Sequence, residues 1–240
     1  MKTQMRTSSV FLVAILALFL SAAVSEAAPK KNTIPLKIKK IYFEYNSSAS
    51  ALGDLGVHVF LDGEDWKEIK IVNPKGRTIF EVEGKGPYKD LGMTELFFEG
   101  AEPDLADVPL QEILDRFPAG NYRFVGEAVD GKSIVDTATL THAIPAGPSN
   151  VSAQLAGNSL VISWNAVTVP PVGFPNVPIN IVGYQVIVGA FLVTVPANIL
   201  SVTVSPEFIG SLAPGLQPFE VLAIEAGGNQ TITESSFMKP

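Results

Sequence analysis

The chain has 240 residues, 17 Lys and Arg against 24 Asp and Glu for a net charge of −7, and no cysteine. Disulfides and a lipid-modified cysteine anchor are therefore excluded, and the fold must hold itself together by burial. The acidic balance argues against nucleic acid as a partner, because phosphate binding needs clustered basic charge.

The chain opens with Lys2 and Arg6, runs apolar from Val10 to Val24, and then places Ser25 and Ala27 at small-residue positions. A short basic start, a short apolar run and that Ser-x-Ala site predict a secretory signal peptide over residues 1–27. The apolar run is shorter than the roughly 20 residues of a spanning helix, and no later segment is apolar enough to span after signal removal. The protein is therefore expected to be exported, to a periplasmic, cell-surface or extracellular location.

Charge then divides the mature chain. Residues 148–240 carry one basic side chain, Lys239, and the acidic Glu207, Glu220, Glu225 and Glu234, whereas nearly all other charge lies before residue 148. Between the halves runs Ala143-Ile144-Pro145-Ala146-Gly147, the kind of Pro/Gly stretch that links domains. Two domains are expected, 34–142 and 148–240, with 143–147 as a linker that makes few contacts.

In the first domain, Ile34 to Tyr45 alternates apolar residues with Lys, as a half-buried strand does. "VHVFLDGEDWKEIKIV" reads as two strands about Asp62-Gly63, a dipeptide that tolerates the positive φ of a tight hairpin. That reading leaves Trp66 as an exposed ring beside the tip. Asn73-Pro74-Lys75-Gly76 turns into a strand "TIFEVE", and residues 121–142 form a second hairpin about Asp130-Gly131. One short helix interrupts, with Asp107 as its cap, Pro109 in its first turn, and Leu110, Ile113, Leu114 and Phe117 on one face.

In the second domain, short alternating segments recur between turn residues: Ser159–Asn165, Ile181–Val188, Phe219–Ile224 and Thr231–Phe237. Trp164 on the second strand, Tyr184 in a Tyr-x-Val strand, and Leu212-Ala213-Pro214-Gly215 before Phe219-Glu220-Val221 resemble a fibronectin type III module over about 148–240. The resemblance implies that Trp164 sits under Tyr184, that Leu212 plugs the core, and that Pro214-Gly215 turns the chain between sheets. Phe219 stands where the family usually has a Tyr whose hydroxyl bonds back to the preceding loop, so that bond is absent.

Gly120-Asn121-Tyr122, following the short helix, resembles the end of a bacterial immunoglobulin-like sandwich. The whole chain resembles secreted bacterial proteins containing one fibronectin type III domain, a likeness that brings no activity with it. The expected fold is all-β: two tandem immunoglobulin-like sandwiches, one short helix in the first.

Residues that carry chemistry are few. His58 and His142 have no second His or Cys at a ligand spacing, which speaks against zinc, and no Ser lies on a strand-turn-helix elbow. No catalytic, cofactor or metal residue is assigned. Glu95, Glu99, Glu102, Asp104, Asp107, Glu112 and Asp115 crowd together as a solvated acidic loop whose charge complements a helix N-terminus, with a calcium site or a glycosidase pair as the functional alternatives.

The loop "AVTVPPVGFPNVPIN", residues 166–180, is free of charge and stiffened by prolines. Phe174, Val172 and Val177 on it, together with Trp66, are the candidate contacts for an unknown protein or glycan. The leading expectation is a non-catalytic exported part in adhesion, surface scaffolding or partner binding. A carbohydrate-binding accessory module ranks second, and an enzyme with an acidic site in the first domain third.

Overall fold

Alternation decides which face each strand buries, and the described residues, 32–240 of a computed structural model, follow it closely. The expected signal peptide, 1–27, lies outside the described residues. In the first half lie β1 (Thr33–Ile34), β2 (Ile38–Asn46), β3 (Asp54–Val72), β4 (Thr78–Glu83), α1 (Pro87–Leu91), β5 (Met93–Glu99), α2 (Leu110–Arg116), β6 (Gly120–Ala128) and β7 (Ser133–Leu140). In the second half follow β8 (Ser152–Ala156), β9 (Ser159–Ser163), β10 (Ile181–Val188), β11 (Phe191–Pro196), β12 (Ser201–Val204), α3 (Pro206–Ser211), β13 (Gly215–Glu225) and β14 (Gln230–Lys239). No helix among the described residues is long and apolar enough to cross a membrane.

The first half turns on β3, and here the expected hairpin is wrong. Asp62-Gly63 does not reverse the chain, and β3 runs on as one strand of 19 residues. A tight two-residue turn needs positive φ at its centre, and Gly63 is not among the positive-φ glycines. The extended form wins because partners flank both edges: β2 pairs with Asp54–Asp62 on one side and β5 with His58–Asp62 on the other.

Beyond a register shift between Asp62 and Trp66, β5 pairs once more, Met93 with Trp66, and the rest of the strand pairs with β4 and β6. The strand thus passes from one layer to the other and lines a single core from both. Ile41, Phe43, Leu55, Val57 and Val59 supply one wall, and Trp66, Ile69, Ile71, Tyr122 and Phe124 the other. Gly63 lies at this corner, where a Cβ would come within 2.8 Å of Leu36 Cδ2.

The short helix appears as α2, with Ile113 and Leu114 buried. Asp107 does not cap it, since Pro109 occupies the N-cap position and no side chain bonds there. Two further short helices, α1 and α3, lie where alternation gave no warning. α3 is capped by Ser205, whose side chain accepts from the Phe208 amide, with Pro206 in its first turn.

The second half is a sandwich of three strands on four: β12–β9–β8 against β14–β13–β10–β11. Trp164 and Tyr184 pack at 5.4 Å between ring centroids, and Leu212 lies against the same core. The Tyr184 hydroxyl accepts a 2.8 Å hydrogen bond from the Val167 amide, anchoring the charge-free loop at its base. One alternation fails. Strict alternation would put Val182 on the inward face with Tyr184, but a bulge between Ile181 and Gly183 turns it outward, where it is exposed.

The two cores are joined by hydrogen-bonded sheet. β14 pairs in parallel with β2, Gln230 with Glu44, Thr231 with Tyr45 and Ile232 with Asn46. A sheet of 11 strands thereby runs from β1 to β11 through both halves. Residues 143–147, expected to make few contacts, are built into this seam. Ile144 is buried in the first core, and the Pro145 carbonyl accepts from Thr231 Oγ1 at 2.5 Å. Asn229, fully buried, donates to the carbonyls of Thr141 and Ala143 and accepts from the Phe43 amide. A segment whose carbonyls face buried donors holds its place because leaving would orphan them.

Candidate carboxylate–imidazole site

The seam also assembles the chemistry. On β2, Ile41, Phe43 and Tyr45 point into the core, so Tyr42 and Glu44 face the opposite side of the sheet. Register places His58 directly across from Tyr42, and Gly56 across from Glu44. Glu99 lies beyond His58 on β5, and Gln230 beyond Glu44 on β14. Glu102, on the chain just after β5, folds back over Gly56, where a Cβ would stand 2.5 Å from its Cγ. Only glycine leaves room for that approach.

The result is a compact polar cluster on an outer sheet face. His58 Nε2 lies 3.0 Å from Glu102 Oε1 and 3.9 Å from Glu44 Oε1, and His58 is only 4% exposed. Gln230 donates its amide to the other Glu44 oxygen. The imidazole is held between rings, Tyr42 at 5.3 Å and the Phe97 edge at 5.9 Å between centroids.

Burial pushes the Glu44 carboxyl above its ordinary range; His58 and Gln230 oppose this, and Glu102 and Glu99 add to it. Burial, with Glu44 and Glu99 beside it, pushes the Tyr42 hydroxyl to about 12. Further along the same face Glu220 is raised by burial and by Glu234 and Glu44, and Asp54 by burial and by Asp104 and Glu234.

This crowding has a sign that can be tested. A carboxyl raised in the folded state destabilises the fold when ionised, so its penalty is absent below the unfolded value of 4.5 and present above the raised one. Glu220→Gln is expected to raise stability at neutral pH by roughly 0.5 kcal/mol, or about 1–2 °C in Tm. The gain should shrink to nothing as pH falls through the carboxylate range, which melting curves of both proteins across pH check directly.

The residues singled out from sequence are scattered. Trp66 is fully buried in the first core, because the hairpin that was to expose it does not exist. Val172 is fully exposed and Val177 partly so. Phe174 packs on the first core, its ring 4.8 Å from that of Tyr45. It is therefore part of the packing between the halves, and Phe174→Asp is expected to cost about 2 kcal/mol or more by placing a charge against Tyr45. A chemical melt with unchanged midpoint would return it to the surface.

The acidic stretch disperses as well. Asp104 accepts from the Ala106 amide, Glu112 pairs with Arg116, and Asp115 accepts from Gln111. Among the described residues only Glu102 of that stretch joins a group that could hold a metal ion, the one it forms with Glu44 and His58. His142 lies elsewhere, its Nε2 2.9 Å from the Phe117 carbonyl. Sequence reading missed the cluster because its members come from three segments whose register was hidden by the misread hairpin. The available signal was a charged or titratable side chain inside each of two short apolar and aromatic runs, Glu44 in "IYFEY" and His58 in "VHVF".

Fold and site define an all-β sandwich protein with a carboxylate–imidazole cluster beside the seam between its halves. No family model matches the chain, and no curated protein matches it. Among solved structures it is similar to a segment of two fibronectin type III domains from chicken tenascin, at 16% identity over 85% of this chain and 98% of that one, TM-score 0.27. It is similar also to Tp47, the 47-kilodalton lipoprotein of Treponema pallidum, at 10% identity over 85% of this chain and 50% of that one, TM-score 0.34. A third likeness is to the spore cortex lytic enzyme SleM of Clostridium perfringens, at 18% identity over 39% of this chain, TM-score 0.32, and it spans only 28% of that enzyme.

Proposed function

We propose that the chain is an exported, non-catalytic protein acting in adhesion, surface scaffolding or partner binding, with residues 1–27 removed as a signal peptide. Residues 34–142 and 148–240 serve as its two sandwiches, in a periplasmic, cell-surface or extracellular setting. One observation carries the reading. A groove of about 610 Å³ crosses the seam, lined by Lys40 and Tyr42 from the first half and by Gln185, Thr194, Ile224 and Gln230 from the second. Such a surface exists only while the halves keep a fixed relation, and pre-organisation of this kind lowers the entropy lost on binding.

The carbohydrate reading loses its candidate platform with the burial of Trp66. The test is binding of the labelled exported protein to intact cells of its source. Saturable binding that disappears after protease treatment of the cells, and is weakened by Gln185→Arg without a change in Tm, supports the proposal. Selective binding on a glycan array or turnover of a sugar or peptide substrate contradicts it.

A further inference from the structure

Glu44, His58 and Glu102 each present one ligand atom, and the three atoms lie within 4.8 Å of one another. We propose that they form a binding site for a divalent first-row transition-metal ion, zinc foremost, which ties β2 and β3 to the chain that follows β5. The inference stands independently of the functional reading above.

Geometry is the first argument. Zinc holds His nitrogen and carboxylate oxygen at about 2.0–2.2 Å, so ligand atoms of a tetrahedral site lie about 3.3 Å apart. The observed separations from His58 Nε2, 3.0 and 3.9 Å, bracket that value. Small torsions of Glu44 and Glu102 bring the set to the ion, while the imidazole itself is already fixed between Tyr42 and Phe97.

Charge is the second. Among the described residues the only ion-pair partner of Glu44 and of Glu102 is His58, and no Lys or Arg neutralises either carboxylate. Two carboxylates with a neutral imidazole carry the charge that a divalent cation cancels. The ion would also relieve the repulsion that Glu102 and Glu99 exert on Glu44.

Donor type is the third argument, and it selects the metal. Calcium takes six to eight oxygens, and an imidazole in the set argues against it. Nitrogen with two carboxylate oxygens suits zinc and its neighbours; affinity rises along the first row to copper and falls again at zinc, and a tetrahedral arrangement favours zinc. The supporting contacts are those expected around such a site. Gln230 holds the outer oxygen of Glu44, leaving Oε1 to face His58. Glu102 and Glu44 remain 25% and 15% exposed at their side chains, so the ion has an entry path and water can complete its coordination.

The experiment is calorimetric titration of the purified, chelator-treated exported protein with zinc chloride at neutral pH. One ion per chain is expected, with His58→Ala weakening binding by about 100-fold or more and Glu102→Gln by about 10-fold or more. His58→Ala removes a buried ring and can unfold the protein, so Glu102→Gln, at a partly exposed position, carries the test on its own provided its Tm without metal is unchanged. Cobalt should give the visible absorption of a low-coordinate nitrogen–oxygen site, lost in the same variants, and His142→Ala should bind as the parent does. Absence of stoichiometric zinc binding, zinc binding that survives Glu102→Gln, or binding of calcium in preference to zinc overturns the proposal.

Discussion

Trp66→Ala should lower the stability of the protein by about 3–5 kcal/mol, the range for truncating a fully buried large aromatic. Trp66 is 0% exposed and sits where β3 passes from one layer to the other, so its removal opens a cavity at the corner of the first core. Collapse around the gap is resisted because the ring's own strand is held by β6 and β5 through the shift in register. Among the described residues the indole Nε1 has no hydrogen-bond partner, which adds a second expectation. Trp66→Phe removes an unpaired buried N–H together with part of the ring volume, so it should cost clearly less than the alanine. Urea unfolding midpoints of the three proteins decide the matter. A loss under about 1 kcal/mol for alanine would put the ring at the surface and revive a sugar-stacking platform.

Asn229→Ala should be nearly as costly, about 3–4 kcal/mol, though it deletes only a small polar side chain. The cost comes from what is left behind. Its Nδ2 reaches the Thr141 carbonyl and Oγ1 at 3.0 Å and the Ala143 carbonyl at 3.1 Å, and its Oδ1 accepts from the Phe43 amide at 2.8 Å. Alanine orphans the fully buried Phe43 amide and leaves the part-buried Thr141 and Ala143 acceptors without their donor, and each buried unpaired group costs about 1–3 kcal/mol. Asn229→Asp should fare no better at neutral pH, because a carboxylate cannot donate to the two carbonyls that Nδ2 serves. The measurement is again the unfolding midpoint, with one refinement. The variant should broaden or split a transition that is single in the parent, since Asn229 ties β2 and residues 141–143 to the β13–β14 turn. A loss under about 1 kcal/mol with a single sharp transition would show that the seam does not depend on this residue.

The strands of the second half were legible because each carries its own period and its own aromatic. Trp164, Tyr184 and Phe219 sit at alternating positions, and all three are buried. The hairpin about Asp130-Gly131 was legible for the same local reason, with Gly131 at positive φ. Asp62-Gly63 carried the identical local signal and misled, because turn propensity is weak against two neighbouring strands that offer full pairing to an extended chain.

The misreading propagated. It put Trp66 outside, hid the register that brings His58 opposite Tyr42, and so concealed the cluster with Glu44 and Glu102. The seam was illegible for a different reason. Residues 143–147 show the Pro/Gly composition of a linker, and composition does not record that Asn229, 86 residues after Ala143, donates to that residue's carbonyl, or that Thr231 donates to the carbonyl of Pro145. A polar residue that turns out to be the most deeply buried of its turn looks, in sequence, like any other Asn after two glycines.

If the two sandwiches form one body through the β2–β14 seam, amide hydrogen exchange of Phe43 must report it. Its N–H is bonded to Asn229 across the seam, so it exchanges only when the halves part. Phe43 is expected to be protected to the same opening free energy as the Val186 amide in the second core and the Val59 amide in the first. Exchange of Phe43 orders of magnitude faster than both, with each core still protected, would show two independent sandwiches on a tether rather than one body.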